Sequence, residues 1–136
     1  MFGKAIDCDP VRVTRRRWFP FQPVDTLMAP CGHVHFHPRS QLYVDDFAVA
    51  GPQAQALFLH EMTHVWQTQH RGRWYLPLMR HPLCRYDYTL RPGWRLERYG
   101  LEQQAEIVRH VFLLERGMHV PGAPPLESYR GVLPFR

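Results

Sequence analysis

HEMTHVWQ, residues 60–67, is the stretch on which the reading of this chain turns. On an α-helix, residues four apart are separated by about 40° around the axis and roughly 6 Å along it, so His60 and His64 reach one metal ion. Glu61 falls on the flank of that face, roughly 60° from His64. Its carboxylate can meet a metal-activated water there without being a ligand, which is the placement of a general base in hydrolytic zinc sites. The chain carries nine histidines, so the string alone can arise by chance in a His-rich sequence. It gains weight if it falls on a helix and if a third ligand can be found.

Outward from this motif, the pattern predicts a helix from Gln53 to about Gln69, entered through Gly51 and Pro52 and closed before Arg71 and Gly72. Phe58, Leu59, Met62, Val65 and Trp66 make one apolar face, while Leu57, His60, His64 and Gln67 line the other. Neither face reads as solvent-facing, so this helix is expected to be central, with core behind it and a cleft in front. Upstream, residues 11–16 (VRVTRR), 33–37 (HVHFH) and 42–49 (LYVDDFAV) have strand character. Downstream, residues 71–100 lack clean periodicity, and YDYTL at 86–90 is the best candidate for a short element in a connection of that length. A second helix is predicted from about Leu101 to Arg116, stopped by Gly117. The fold class expected is α+β, with a small mixed or antiparallel sheet, a central H-E-x-x-H helix and a second ligand-bearing helix.

The 136 residues suit one domain with one core. Its expected extent is 1–120, followed by a proline-rich tail at 121–136 that is extended, wrapped on the surface or partly disordered. No apolar run approaches the roughly 20 residues of a membrane span, and the start MFGKAIDCDP lacks the apolar region of a secretory signal. The expectation is a chain that is cytoplasmic as synthesised, with no Sec signal and no membrane partner. Three cysteines, Cys8, Cys31 and Cys84, are odd in number and far apart, which reads as free thiols. The net charge of +5 is carried by arginine, since Lys4 is the single lysine. Arg15, Arg16 and Arg17 precede Trp18 and Phe19, an arrangement able to contact phosphates and stack on bases. No helix-turn-helix, zinc finger or RNA-binding sheet motif accompanies the run, so nucleic acid is not the expected partner.

A catalytic zinc takes three protein ligands and keeps a fourth position for water. Glu102, which opens the second helix in LEQQAEIV, is the best third ligand, and Glu106 sits one turn later on the same face. With these residues the chain resembles the gluzincin-like metallopeptidases, in which H-E-x-x-H on one helix is completed by a glutamate from a later one. That resemblance implies Glu102 as ligand and Glu106 as the acid supporting the first histidine, with Glu here where the group often has Asp. HEMTHVWQ, YDYTL and LEQQAEIV together look like the small zincin-like domains of Vgr-related and Rhs-type proteins of bacterial type VI secretion systems. This likeness covers roughly residues 30–116 and implies export by a contractile secretion system and a secretion-system protein partner.

The mechanism these residues imply is amide hydrolysis of a peptide or protein substrate. Zn2+ held by His60, His64 and Glu102 lowers the pKa of a water from 15.7 toward about 7, and Glu61 accepts its proton. Tyr86, Tyr88 and Tyr99 are the candidate donors to the oxyanion, and Arg109 reads as an ion-pair partner of the acids. His33, His35 and His37 share one face of a strand. His33 and His35 are placed tentatively in the substrate groove, although an H-x-H-x-H strand can itself bind metal. His70, His81, His110 and His119 read as surface or packing residues. The competing function is a non-catalytic zincin-like metal-binding module whose groove or tail binds a secretion component; Glu61, which a purely structural site would not need, weighs toward a metallopeptidase.

Overall fold

Pro52 begins α1 (Pro52–Arg71), the longest helix of the computed structural model, which describes residues 1–81 and 83–135. Proline at the first helical position costs no hydrogen bond, because the first-turn N–H groups have no intrahelical acceptor. The helix ends at Gly72, whose φ of +98° suits a residue without Cβ and whose N–H bonds the Thr68 carbonyl at 2.9 Å. A short helix, α2 (Tyr75–Met79), follows directly. α3 (Leu101–Glu115) starts after Gly100, whose N–H is accepted by the Gln103 side chain at 2.9 Å. It closes in a Schellman turn. The Gly117 N–H bonds Leu114 and the Met118 N–H bonds Leu113, with Gly117 at φ +70°.

α1 and α3 form the principal packed pair. Met62, Val65 and Trp66 of α1 meet Ile107, Val108 and Val111 of α3 in one apolar cluster, joined by Phe2 and Ile6 from the N-terminal segment. From His60 to Thr68 every residue of α1 is buried. This stretch of the helix is therefore covered on all sides, as a stretch without a solvent-facing stripe must be.

The sheet is small, two strands paired in parallel. β1 (Val13–Thr14) pairs in parallel with β2 (Val34–His35), and Met28 bridges His35 in the antiparallel sense. Both strands are shorter than their hydrophobic patterns predict. Pro38, which has no N–H and a fixed φ, follows closely on the segment containing β2. The fold is thus α+β, with two main helices carrying the core and a minimal sheet at one side.

Three expectations give way to tertiary context. Residues 42–49 form turns and bends rather than a strand. The Asp46 carboxylate accepts the Ala48 N–H at 2.8 Å, a local bond that competes with a sheet ladder, and Val49 is left exposed. Phe47 nonetheless stacks on Phe58 of α1, at 4.4 Å between ring centres. YDYTL at 86–90 is irregular. Side chains hold it instead: Gln103 donates to the Asp87 carbonyl at 2.6 Å, and Tyr88 is drawn inward.

The proline-rich C-terminal segment is not a loose surface tail. It forms a 3-10 turn over Leu126–Tyr129, and Tyr129, Val132 and Leu133 are buried in the main core. The Val132 carbonyl accepts the Leu96 N–H at 2.9 Å. Leu133→Ala is accordingly expected to destabilise the fold by about 2–5 kcal/mol, the range for truncating a buried leucine. Denaturant unfolding measures this, and a change below about 0.5 kcal/mol, as for an exposed site, would contradict the packing.

Candidate metal centre

His60 and His64 lie one turn apart on α1, and Glu102 faces them from the first turn of α3. Glu102 Oε2 is 3.3 Å from His60 Nε2 and 3.2 Å from His64 Nε2. Ligands about 2.0–2.1 Å from a tetrahedral ion stand about 3.3–3.4 Å apart. The separations therefore match those of groups sharing one cation, and the three residues form a buried group able to hold a metal ion. Buried polar atoms ordinarily have hydrogen-bond partners. Here His64 Nε2, Glu102 Oε2 and Glu61 Oε2 are buried without a hydrogen bond. A cation coordinated by the first two would satisfy them.

The outer nitrogens of both imidazoles are committed elsewhere. His60 Nδ1 is 2.8 Å from Glu106 Oε1, and an ionised carboxylate can only accept, so Nδ1 carries the proton. His64 Nδ1 is 2.9 Å from Gln67 Oε1. The Gln67 amide nitrogen donates to the Leu101 carbonyl at 2.8 Å and to Gln104 Oε1 at 3.0 Å, which orients its oxygen toward His64. Both rings thus present an unprotonated Nε2 to the shared point once neutral. Gln67 also ties the motif helix to the residue before Glu102. Its role could have been suspected from its place three residues beyond His64, but its anchors on α3 lie far off in sequence.

Glu102 divides its oxygens. Oε2 faces the histidines, while Oε1 lies 2.8 Å from Arg80 Nε in an ion pair. Arg80, His81, Cys84, Tyr86 and Glu102 line a cavity beside the ligand group. Tyr86 is half-exposed and lies nearly parallel to the His60 ring at 6.2 Å. The other two tyrosines singled out from the sequence are engaged elsewhere. Tyr99 accepts the Arg91 N–H, and the Tyr88 hydroxyl meets His110 and Tyr129.

Arg109 pairs with Glu106 at 3.2 Å, as its position on α3 suggested. His110, read from the sequence as a surface or packing residue, has its Nε2 3.1 Å from Glu106 Oε2. The rings of His33 and His35 are held by β1 and the residue before it: His33 Nδ1 accepts the Arg12 N–H at 3.3 Å, and His35 Nδ1 lies 3.3 Å from the Thr14 hydroxyl. His37 Nε2 accepts from the Arg17 guanidinium at 3.0 Å, a cation where a metal would have to sit. The strand histidines therefore do not form the metal-binding group found among the described residues, which is His60, His64 and Glu102.

Charge coupling across the centre is strong. Burial by itself would lower the His60 pKa, but contacts with Glu102 and Glu106 and the charge of Glu61 outweigh it and lift the ring to about 9. Burial would raise Glu102; its contacts with His60 and His64 and the charge of Arg80 hold it far below the usual carboxylate range instead. Glu106 is held down likewise, with burial opposed by His110, His60 and Arg109. In the metal-free protein the His60 contribution to stability is fully present below 6.5 and is lost as pH rises through about 9. The glutamate contributions are present above 4.5 and are lost as pH falls toward their depressed values. Metal-free stability should therefore plateau between about 4.5 and 6.5. Metal-induced stabilisation should grow with pH above that window, because coordination displaces the His60 proton. Melting curves with and without zinc across pH 4–9.5 test both trends. A metal-free melting temperature that holds level from 6.5 to 9 would mean that His60 is not charged in the folded protein.

No family model matches the chain. A curated relative is the type VI secretion system spike protein VgrG2b of Pseudomonas aeruginosa, 41% identical over 120 residues; the match takes in 83% of this chain and 12% of that protein. The solved effector domain of Pseudomonas aeruginosa VgrG2b superimposes with a TM-score of 0.75 at 36% identity, covering 97% of this chain and 75% of that one. The chain belongs to the VgrG2b effector-domain family. At 97% of the chain, the likeness to the VgrG2b effector domain takes in most of both α1 and α3. It also takes in the C-terminal segment that the sequence pattern had set apart. The match spans about an eighth of the length of the VgrG2b spike protein. Among the described residues of this VgrG2b-type domain, no helix is long and apolar enough to cross a membrane.

Proposed function

We propose that this effector domain is a zinc-dependent peptidase of the minimal zincin type, with His60, His64 and Glu102 as ligands and Glu61 as general base. One observation carries the reading. Three ligand atoms converge at the spacing of a shared ion, and beside them lies a buried carboxylate oxygen without a hydrogen-bond partner, in Glu61. Two imidazole nitrogens and one carboxylate oxygen are the donor set of hydrolytic zinc sites. Zinc bound there would act as a Lewis acid and bring the pKa of a water to about 7.

The residues divide the remaining work. Glu61 takes the proton from the attacking water and returns it to the leaving amine. Glu106 and Gln67 hold the two imidazoles in the tautomer that keeps Nε2 available. Of the three tyrosines, Tyr86 is the one beside the centre with an accessible ring, and its hydroxyl is the donor we assign to the oxyanion, with Arg80 next to it. The substrate is a peptide or protein. The family relationship supports delivery by type VI secretion machinery, with a protein of that machinery as partner.

A non-catalytic metal-binding module is the alternative. Structural zinc sites are normally closed by four protein ligands, whereas the group found here has three. Elemental analysis of the purified protein, followed by digestion of a broad peptide library, separates the readings. About one zinc per chain with cleavage is the expected result. Zinc without cleavage would favour the binding module, and no zinc would remove the basis of both.

A further inference from the structure

We propose that His110, Tyr88 and Tyr129 are positioning residues for His60, forming a hydrogen-bonded relay that couples docking of the C-terminal segment to the grip of the site on its metal. The inference rests on the metal reading of His60 above. Its material is a continuous line of short contacts running from behind the ligand set into the segment after α3. Glu106 Oε1 is 2.8 Å from His60 Nδ1, and Glu106 Oε2 is 3.1 Å from His110 Nε2. His110 Nδ1 is 2.7 Å from the Tyr88 hydroxyl, which is 2.6 Å from that of Tyr129.

The donors and acceptors permit one consistent direction in the neutral ring. Ionised Glu106 accepts only, so His110 Nε2 donates to it, and Nδ1 is left as an acceptor. Tyr88 must then donate to Nδ1, which turns its oxygen lone pairs toward Tyr129, and Tyr129 donates to Tyr88. Every proton points along the line toward the carboxylate that orients His60. If the Tyr88 hydroxyl is lost, His110 is free to change tautomer and withdraw its proton from Glu106. Glu106 Oε2 then keeps only the longer 3.4 Å contact with Arg109, so the carboxylate holds His60 less tightly.

Three parts of the chain are joined in this way. Glu102, Glu106 and His110 stand at four-residue intervals along one stripe of α3, so metal ligand, supporting acid and relay histidine follow one another down a single face. Tyr88 comes from the irregular 86–90 segment, whose lack of ladder bonds leaves its side chain to be placed by this contact. Tyr129 comes from the Leu126–Tyr129 turn packed on α3, and its ring is buried. Residues 126–133 thus act on the site from behind α3, and their anchoring in the core holds the end of the relay in place.

Zinc affinity, measured by chelator competition at one fixed pH on the full chain, tests the relay without reference to catalysis. Tyr88→Phe and Tyr129→Phe each remove one hydroxyl and keep the ring, so folding should survive; melting of the metal-free proteins checks this. Tyr88→Phe is expected to weaken zinc binding about two- to tenfold, the worth of one hydrogen bond, and Tyr129→Phe less, in the same direction. Glu106→Ala should weaken it about 10–100-fold, as for partners of metal-bound histidines. The deciding comparison is Tyr88→Phe in the Glu106→Ala background, where it should have no further effect because the relay is already cut. Equal weakening in both backgrounds, or none in either, overturns the relay. Unchanged affinity in His60→Ala would overturn the metal site itself and the relay with it. Lost affinity in His60→Ala together with an unaffected Tyr88→Phe would overturn the relay alone.

Discussion

Glu61→Gln should retain about one zinc per chain and lose peptide hydrolysis by about 10²–10⁴-fold, the contribution of a positioned general base. The substitution keeps the shape of the side chain and removes its ability to take a proton. Glu61 is 5% exposed, and its Oε2 is buried without a hydrogen-bond partner. It is also outside the metal-ligand group, which is why affinity should be preserved while turnover falls. Cleavage of a peptide found in the library screen, with zinc content measured on the same preparation, gives both readouts. Activity within a few-fold of the parent would remove Glu61 from the mechanism, and loss of zinc would show that it contributes to the metal site.

Glu102→Gln should lower zinc affinity by more than the about 10–100-fold associated with partners one shell further out, and His64→Ala should do the same. Glu102 is fully buried and held far below its ordinary pKa, so it is ionised across the neutral range and supplies the negative charge of the ligand set. Glutamine offers a carbonyl oxygen of similar reach without that charge. It also leaves the Arg80 guanidinium beside an uncharged amide where a carboxylate lies at 2.8 Å. Some loss of metal-free stability as well as of affinity is therefore expected, moderated by solvent because the Arg80 side chain is 29% exposed. Chelator competition on folded protein separates the two effects. Tight stoichiometric zinc in Glu102→Gln would disqualify Glu102 as the third ligand and move the search to Glu106.

Glu61→Gln probes chemistry at constant affinity, Glu102→Gln probes affinity directly, and Tyr88→Phe probes affinity through Glu106. A protein that binds zinc through these residues yet cleaves nothing would give the affinity results without the first one. That pattern would point to the non-catalytic module.

The local part of this protein was legible in its residues. Gly51–Pro52 and Gly72 bound α1, Gly117 closes α3, and the four-residue spacing of His60 and His64 places two imidazoles on one face, because helix geometry converts sequence interval directly into direction. Glu102 is suggested by its place at the start of α3, and the supporting role of Glu106 by the resemblance to gluzincin-like metallopeptidases. What the residues alone did not decide was everything that depends on contacts between distant segments. The 42–49 stretch alternates like a strand, but it has no ladder partner and an Asp46 side chain that bonds its own backbone. Residues 121–135 have the composition of a loose tail, yet three of their apolar side chains complete a core whose other walls come from α1 and α3. His110 has no partner within the sequence pattern that marks it as special; its partners are one turn back on its own helix and 22 residues upstream at Tyr88. Gln67 shares the histidine face by its spacing, but its anchors on α3 and the pairing of Arg80 with Glu102 are not visible in sequence. Periodicity reports which way a side chain points along its own element, whereas the identity of what it meets there is decided only when α1, α3, the 86–90 segment and the C-terminal turn are packed together.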